Sequence, residues 1–212
     1  MIKNIVLDMG NVLLDFTPDI SLQKFIDNVS DREIIRRELF QGSEWIQGDL
    51  GKITNSERFD SVSRRIPMRL HSALKQCVEH WDICMEPIPG AKEFCSYTKE
   101  KGYGIYILSN ACNKFYEYFP KNFLPLEYFD GVVVSSDIHI IKPDPRIYDY
   151  LLQTYKLKAE ECLFIDDRAE NVEAAKQVGM QAEVFTGEFT YIKDTYLRQL
   201  KKKKHLTFLC SQ

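Results

Sequence analysis

Apolar residues along this chain follow two rhythms. Ile5-Val-Leu7, Ile105-Tyr-Ile-Leu108, Val132-Val-Val134 and Leu163-Phe-Ile165 are short runs without polar alternation. Such runs suit strands buried on both faces, as in a parallel sheet covered by helices. With a shorter segment at Ala182–Phe185, they predict strands near residues 3–8, 104–108, 131–135, 162–166 and 182–185. Between them apolar residues recur at helical spacing. Gly102 and Gly179 stop two of these helices, and Pro145 sits near the start of a third. Strands alternating with helices imply βαβ units and an α/β fold, a doubly wound Rossmann-like parallel sheet.

Residues 17–86 break this alternation. Ile20, Leu22, Phe25, Ile26 and Val29 form one helical stripe, and Ile34, Ile35, Leu39 and Phe40 continue it. Thr54-Asn-Ser-Glu57 has the form of a capping box, and Leu70–Cys84 supplies a further helical pattern. Residues 41–51 hold three glycines and Trp45, which predicts a loop or a short helix between turns. No strand is expected over this stretch. The expected organisation is a core of residues 1–16 and 87–212, with a helical insertion at 17–86.

Composition narrows the class. With 212 residues, 28% charged and 44% hydrophobic, the chain has room for one globular core plus an insertion. A net charge of -3 makes no case for nucleic acid. No basic segment leads into a long apolar run, and no stretch reaches membrane-spanning length, so neither a secretory signal nor a membrane partner is expected. Six cysteines lie scattered without paired or zinc-type spacing, which predicts reduced thiols and a cytoplasmic home. The run Lys201–Lys204 is expected to be a solvated helix end.

The candidate chemistry lies where strands end. An open α/β sheet binds ligands beyond the carboxyl ends of its strands. There the chain places Asp8, Ser109-Asn110 and Asp166-Asp167, with Lys142-Pro143 in the loop after the third strand. A lone Asp8 would serve equally as a turn cap; the recurrence of polar residues at successive strand ends is what favours a site. Carboxylates crowded at one edge repel unless a cation holds them, and a hard, oxygen-liganded ion such as Mg²⁺ fits.

These motifs resemble those of the haloacid dehalogenase superfamily. Within it, Asp8-Met-Gly10-Asn-Val12 and the pattern from Lys142-Pro143 to Ile147-Tyr148 are most similar to phosphatases of glucose 1-phosphate. The resemblance implies that Asp8 attacks phosphorus and forms an aspartyl-phosphate. It implies that Asp8, the Gly10 carbonyl, Asp167 and Asp166 hold Mg²⁺. Lys142 would neutralise the phosphoryl group, Ser109 and the Asn110 amide would bind its oxygens, and Asn171 would orient Lys142 or a metal-bound water. The helical insertion matches the family's cap and would select a small phosphorylated metabolite, with Glu44, Trp45 and Gln47 as candidates to face it.

One position departs from the pattern. The residue two after the nucleophile is usually a second aspartate acting as general acid and base; here it is Gly10. Three explanations are open: a leaving group needing little protonation, such as an anomeric hydroxyl; a proton supplied by water or a cap residue, with Glu44 or Asp15 as candidates; or loss of turnover, leaving a phospho-ligand or partner-binding module. A 2-haloacid dehalogenase also lacks that aspartate, but it needs no metal, and the Asp166-Asp167 pair argues against it.

Overall fold

The computed structural model describes residues 1–197; the lysine run at 201–204 lies outside the described residues. Seven strands are found among these: β1 (Asn4–Leu7), β2 (Leu14–Phe16), β3 (Met85–Pro87), β4 (Gly104–Ser109), β5 (Gly131–Val134), β6 (Cys162–Asp166) and β7 (Gln181–Val184). Five form one parallel sheet in the order β5-β4-β1-β6-β7. The chain winds outward from β1 on one side, then returns to wind outward on the other. The strand order therefore switches beside β1, which is where such sheets open a crevice.

The unbroken apolar runs are explained by burial on both faces. Ile5, Leu7, Ile105, Ile107, Leu163 and Ile165 pack toward α6 (Ala91–Glu100), α7 (Phe115–Asn122) and α11 (Phe189–Ile192). Val6, Leu108, Val133 and Phe164 point the other way, toward α9 (Pro145–Thr154) and α10 (Ala169–Gln177). Successive strand residues alternate faces, so a strand covered on both sides must be apolar throughout.

Between β2 and β3 run α1 (Asp19–Phe25), α2 (Val29–Ile35), a π-helical turn at Arg36–Phe40, α3 (Ser43–Asp49), α4 (Asn55–Ser63) and α5 (His71–His80). The capping box at the start of α4 is present in both halves: the Thr54 hydroxyl accepts from the Glu57 amide, and the Glu57 carboxylate accepts from the Thr54 amide. The glycine-bounded segment at 41–51 is helical over α3. One expectation is corrected: β2 and β3 form an antiparallel ribbon pairing Leu14 with Pro87 and Phe16 with Met85, so a strand begins inside the stretch expected to be purely helical. Three-residue strands carry no readable period, and their pairing partners are far apart in sequence.

The insertion also touches the core at the end of α3. The Ser135 hydroxyl, at the start of α8 (Ser135–Ile138), donates to the Asp49 carbonyl at 2.6 Å. His139 Nδ1 lies 2.8 Å from the Leu50 carbonyl oxygen. Gly51 has φ +64°, and a Cβ there would come within 2.5 Å of the Ser136 carbonyl oxygen. Leu7 is fully buried in the central strand; Leu7→Ala is expected to lower unfolding free energy by about 2–5 kcal/mol, read from urea denaturation.

Candidate active site

Parallel register builds the site. Leu7 pairs with Ile107 on one side and with Ile165 on the other. The next residues, Asp8, Leu108 and Asp166, therefore reach the carboxyl edge together, and the Asp8 amide still donates to the Ile165 carbonyl at 2.9 Å. Lys142 Nζ enters from the loop after α8 and meets all three. It donates to the Leu108 carbonyl at 2.8 Å, and lies 2.8 Å from Asp8 Oδ1 and 2.7 Å from Asp166 Oδ2. An ammonium has three N–H donors, and the protein occupies each of them. Asn110 fixes the lysine's backbone: its Oδ1 accepts from the Lys142 amide at 2.8 Å and its Nδ2 donates to the Lys142 carbonyl at 3.0 Å.

Further hydrogen bonds hold Asp166 from its own loop and helix, and Asp167 from the turn after Asp8. Asp166 accepts from the Arg168 amide at 2.9 Å and from Asn171 Nδ2 at 2.9 and 3.1 Å. Asn171 thus reaches Lys142 through Asp166, which the lysine also contacts. Tyr148 in turn donates to the Asn171 carbonyl at 2.8 Å. After Asp8 the chain turns through Asn11 at φ +54°, a left-handed conformation that asparagine tolerates. Asn11 Nδ2 then donates to Asp167 Oδ2 at 3.0 Å.

Charge at this edge is unbalanced. One oxygen each from Asp8, Asp166 and Asp167 lies within 4.8 Å of the others, and Lys142 is the cation paired with two of these acids. Burial pushes the Asp8 carboxyl up to about 8, with Lys142 pulling it down and Asp166 and Asp167 pushing it further up. Burial also raises Asp166, but Lys142, the Arg168 amide and Asn171 outweigh it and hold Asp166 below the usual carboxylate range. Lys142 loses by burial and gains more from its two carboxylates, so its ammonium is held above the ordinary value. Three hard oxygen donors short of positive charge fit a divalent cation such as Mg²⁺.

Above this edge opens a cavity of about 540 Å³. Asp8, Gly10, Asn110, Lys142, Asp167 and Asn171 line its floor, while Phe16, Phe40, Trp45, Asp49, Arg58 and Trp81 line the rest. Trp45 stacks on Phe16 with ring centroids 5.3 Å apart, and the Arg58 guanidinium lies 4.9 Å from the Trp45 ring centroid. Neither Glu44 nor Gln47 lines the cavity. Glu44 is clamped by Arg65 at 2.6 and 2.9 Å and by the Ser61 hydroxyl at 2.5 Å, which hold its carboxyl down to about 2. Asp15 is exposed on the ribbon and accepts from the Thr17 hydroxyl. Both expected proton sources are therefore engaged elsewhere. Ser109 ends β4 with a buried hydroxyl that has no hydrogen-bond partner among the described residues, and it does not line the cavity.

Asn11, Asp49 and Arg58 are site residues that local pattern did not single out. Asn11 stood inside the first motif as a turn former. Asp49 and Arg58 carried no signal, because their positions depend on how α3 and α4 pack.

A haloacid dehalogenase-like hydrolase family model matches residues 2–179. The chain belongs to that family. This hydrolase is 26% identical over 191 residues to the D-ribitol-5-phosphate phosphatase of Bacteroides thetaiotaomicron, covering 85% of this chain and 90% of that one. It is 24% identical over 178 residues to the sesquiterpene phosphatase astK of Aspergillus oryzae, covering 84% and 87%. Its fold superposes with a TM-score of 0.73 on a family enzyme of Bacteroides thetaiotaomicron solved as a mutant with magnesium and inorganic phosphate, at 20% identity over 91% of this chain and 99% of that one.

The raised Asp8 carboxyl gives a pH signature in the metal-free hydrolase. Between the ordinary 3.8 and about 8, the folded state keeps a proton that the unfolded state has released. Stability then falls as pH rises through that window. Thermal melts in EDTA are expected to show this decline, and Asp8→Asn to remove Asp8's share of it.

Proposed function

We propose that this hydrolase is a magnesium-dependent phosphomonoesterase acting on a small phosphorylated metabolite, a sugar or polyol phosphate such as glucose 1-phosphate or a pentitol 5-phosphate. The observation that carries this reading is the convergence of Asp8, Asp166 and Asp167 around Lys142 at the floor of the cavity. Attack on the carbon of a 2-haloacid needs no cation, so an excess of carboxylates speaks against that alternative. The phosphatases among its relatives point the same way. The five described cysteines are all free thiols, which supports a reducing, cytoplasmic setting.

Asp8 is the nucleophile in this reading. Lys142 grips one of its oxygens and leaves the other free to attack phosphorus. The ester oxygen departs, and water then opens the aspartyl-phosphate and restores Asp8. Asp8, Asp167, Asp166 and the Gly10 carbonyl would hold Mg²⁺, which would supply charge neutralisation for the transferring phosphoryl group. Lys142 has its donors committed to the protein, so it acts by aiming Asp8 and pulling its carboxyl toward the charged form against burial. Asn171 supports that lysine through Asp166. The Asn110 amide is the donor assigned to phosphoryl oxygens; the buried Ser109 hydroxyl lies outside the cavity lining. The helices at 17–86 serve as the cap: they contribute Trp45 and Phe40 to the cavity wall, and a ring face suits the apolar side of a sugar.

Phosphate release from a panel of sugar and polyol phosphates tests the reading. Release is expected with Mg²⁺, lost with EDTA, restored on adding Mg²⁺, and reduced roughly 10⁴-fold or more by Asp8→Asn. A folded protein that releases phosphate from no ester would overturn it in favour of a phospho-ligand-binding module.

A further inference from the structure

We propose that Asp49, at the end of α3, is the general acid and base of this hydrolase, delivered by the inserted helices in place of a side chain at Gly10. This rests on the phosphatase reading above. Gly10 lies on the cavity floor two residues after Asp8, and a Cβ there would meet nothing within 4 Å. Space for an acid is present, and the chain supplies none from that position. Of the carboxylates lining the cavity, Asp8 and Asp167 belong to the cation site, which leaves Asp49. Its carboxyl has no hydrogen-bond partner among the described residues, unlike those of Glu44 and Asp15. The three described histidines do not line the cavity.

The fold aims Asp49 there. Trp45 and Asp49 are one helical turn apart, so they share the face of α3 that looks into the cavity. Ser135 ties the Asp49 backbone to the floor: its hydroxyl donates to the Asp49 carbonyl at 2.6 Å and accepts from the amide of Ala111, the residue after Asn110, at 3.0 Å. The contacts of Leu50 with His139 and of Gly51 with Ser136 lock the following turn. Asp49 therefore keeps its place relative to Asn110, and through Asn110 to Lys142.

The surroundings keep a proton on it. Burial pushes the Asp49 carboxyl up to about 7, with Arg58 from α4 pulling the other way. Arg58 passes under α3 at Gly48, where a Cβ would come within 1.7 Å of its Nη2. The Cys112 thiol and the Tyr118 hydroxyl, both raised by burial, also neighbour Asp49. From α8, His139 is held on the Leu50 carbonyl and Asp137 accepts from the Tyr116 hydroxyl.

In the first half-reaction an Asp8 oxygen bonds to phosphorus and the bond from phosphorus to the ester oxygen breaks. The Asp49 proton goes to that oxygen, giving the free alcohol and an Asp49 carboxylate. In the second, Asp49 takes a proton from water as the water oxygen attacks phosphorus. The bond from Asp8 to phosphorus breaks, releasing inorganic phosphate and restoring both acids. With such an acid, esters of ordinary primary alcohols become substrates, and hydrolysis is not confined to anomeric phosphates.

The test compares ribitol 5-phosphate, whose alcohol leaves poorly, with 4-nitrophenyl phosphate, whose phenolate leaves without help. Asp49→Asn is expected to lower kcat about 10²–10⁴-fold on the first ester and by a distinctly smaller factor on the second. The alkaline limb of the kcat profile should disappear with it. Adding Gly10→Asp to Asp49→Asn should recover part of the loss on ribitol 5-phosphate. Melting curves check that each variant is folded. Equal losses on both esters, or no loss, would overturn the assignment of Asp49 while leaving the phosphatase reading intact. So would a wild-type protein that hydrolyses only the nitrophenyl ester. Hydrolysis of neither ester would overturn both.

Discussion

The ammonium of Lys142 touches the ends of three adjacent strands, β4, β1 and β6, through the Leu108 carbonyl, Asp8 and Asp166. A buried charge is tolerated only when it is paired and its hydrogen-bonding capacity is used, and here every donor has an acceptor. The arrangement works only in one register. A slip of one residue along β1 or β6 would move an acid away from the lysine and turn its side chain to the opposite face. The central strands and the site therefore specify one another.

From that contact the rest of the floor follows. Asn110 holds the backbone of Lys142, so the loops after β4 and β5 are locked together. Asn171 and the Arg168 amide hold Asp166, and Asn11 holds Asp167. Because one ammonium serves an excess of carboxylates, the edge stays short of positive charge. That shortage fits a divalent ion, and burial, together with the neighbouring Asp166 and Asp167, makes Asp8 reluctant to ionise.

The inserted helices complete the cavity from the other side. They are joined to the core by the β2–β3 ribbon and by the seam between α3 and the Ser135–His139 segment. In the proposed phosphatase reaction the floor would meet the phosphoryl group, and the wall, with Phe40, Trp45, Asp49 and Arg58, would meet whatever the phosphate is attached to. A glycine at position 10 is compatible with turnover if Asp49 on the wall carries the proton, as proposed above.

The sheet strands were legible because burial on both faces leaves an uninterrupted apolar run, and Gly102 and Gly179, at φ +79° and +91°, marked helix ends by local conformation alone. That Asp8, Asn110 and Asp166 lie at the carboxyl edge could be counted along the chain, because strand ends are where the sheet exposes side chains. Lys142 comes from a loop, and its contact with two of those acids appears only in the fold. What pairs across the fold could not be counted. Glu44 reads as a free acid until Arg65, 21 residues on, closes over it. Asp49 reads as an ordinary helix end until Ser135, 86 residues on, ties it to the floor. Asn171 reads as orienting Lys142 or a metal-bound water, and only the folded chain shows that its amide bonds to Asp166. Periodicity and turn chemistry are properties of neighbouring residues, so the sequence alone determined the elements and the acids at their ends; which acid is clamped, which is free, and which faces the cavity was decided by tertiary packing.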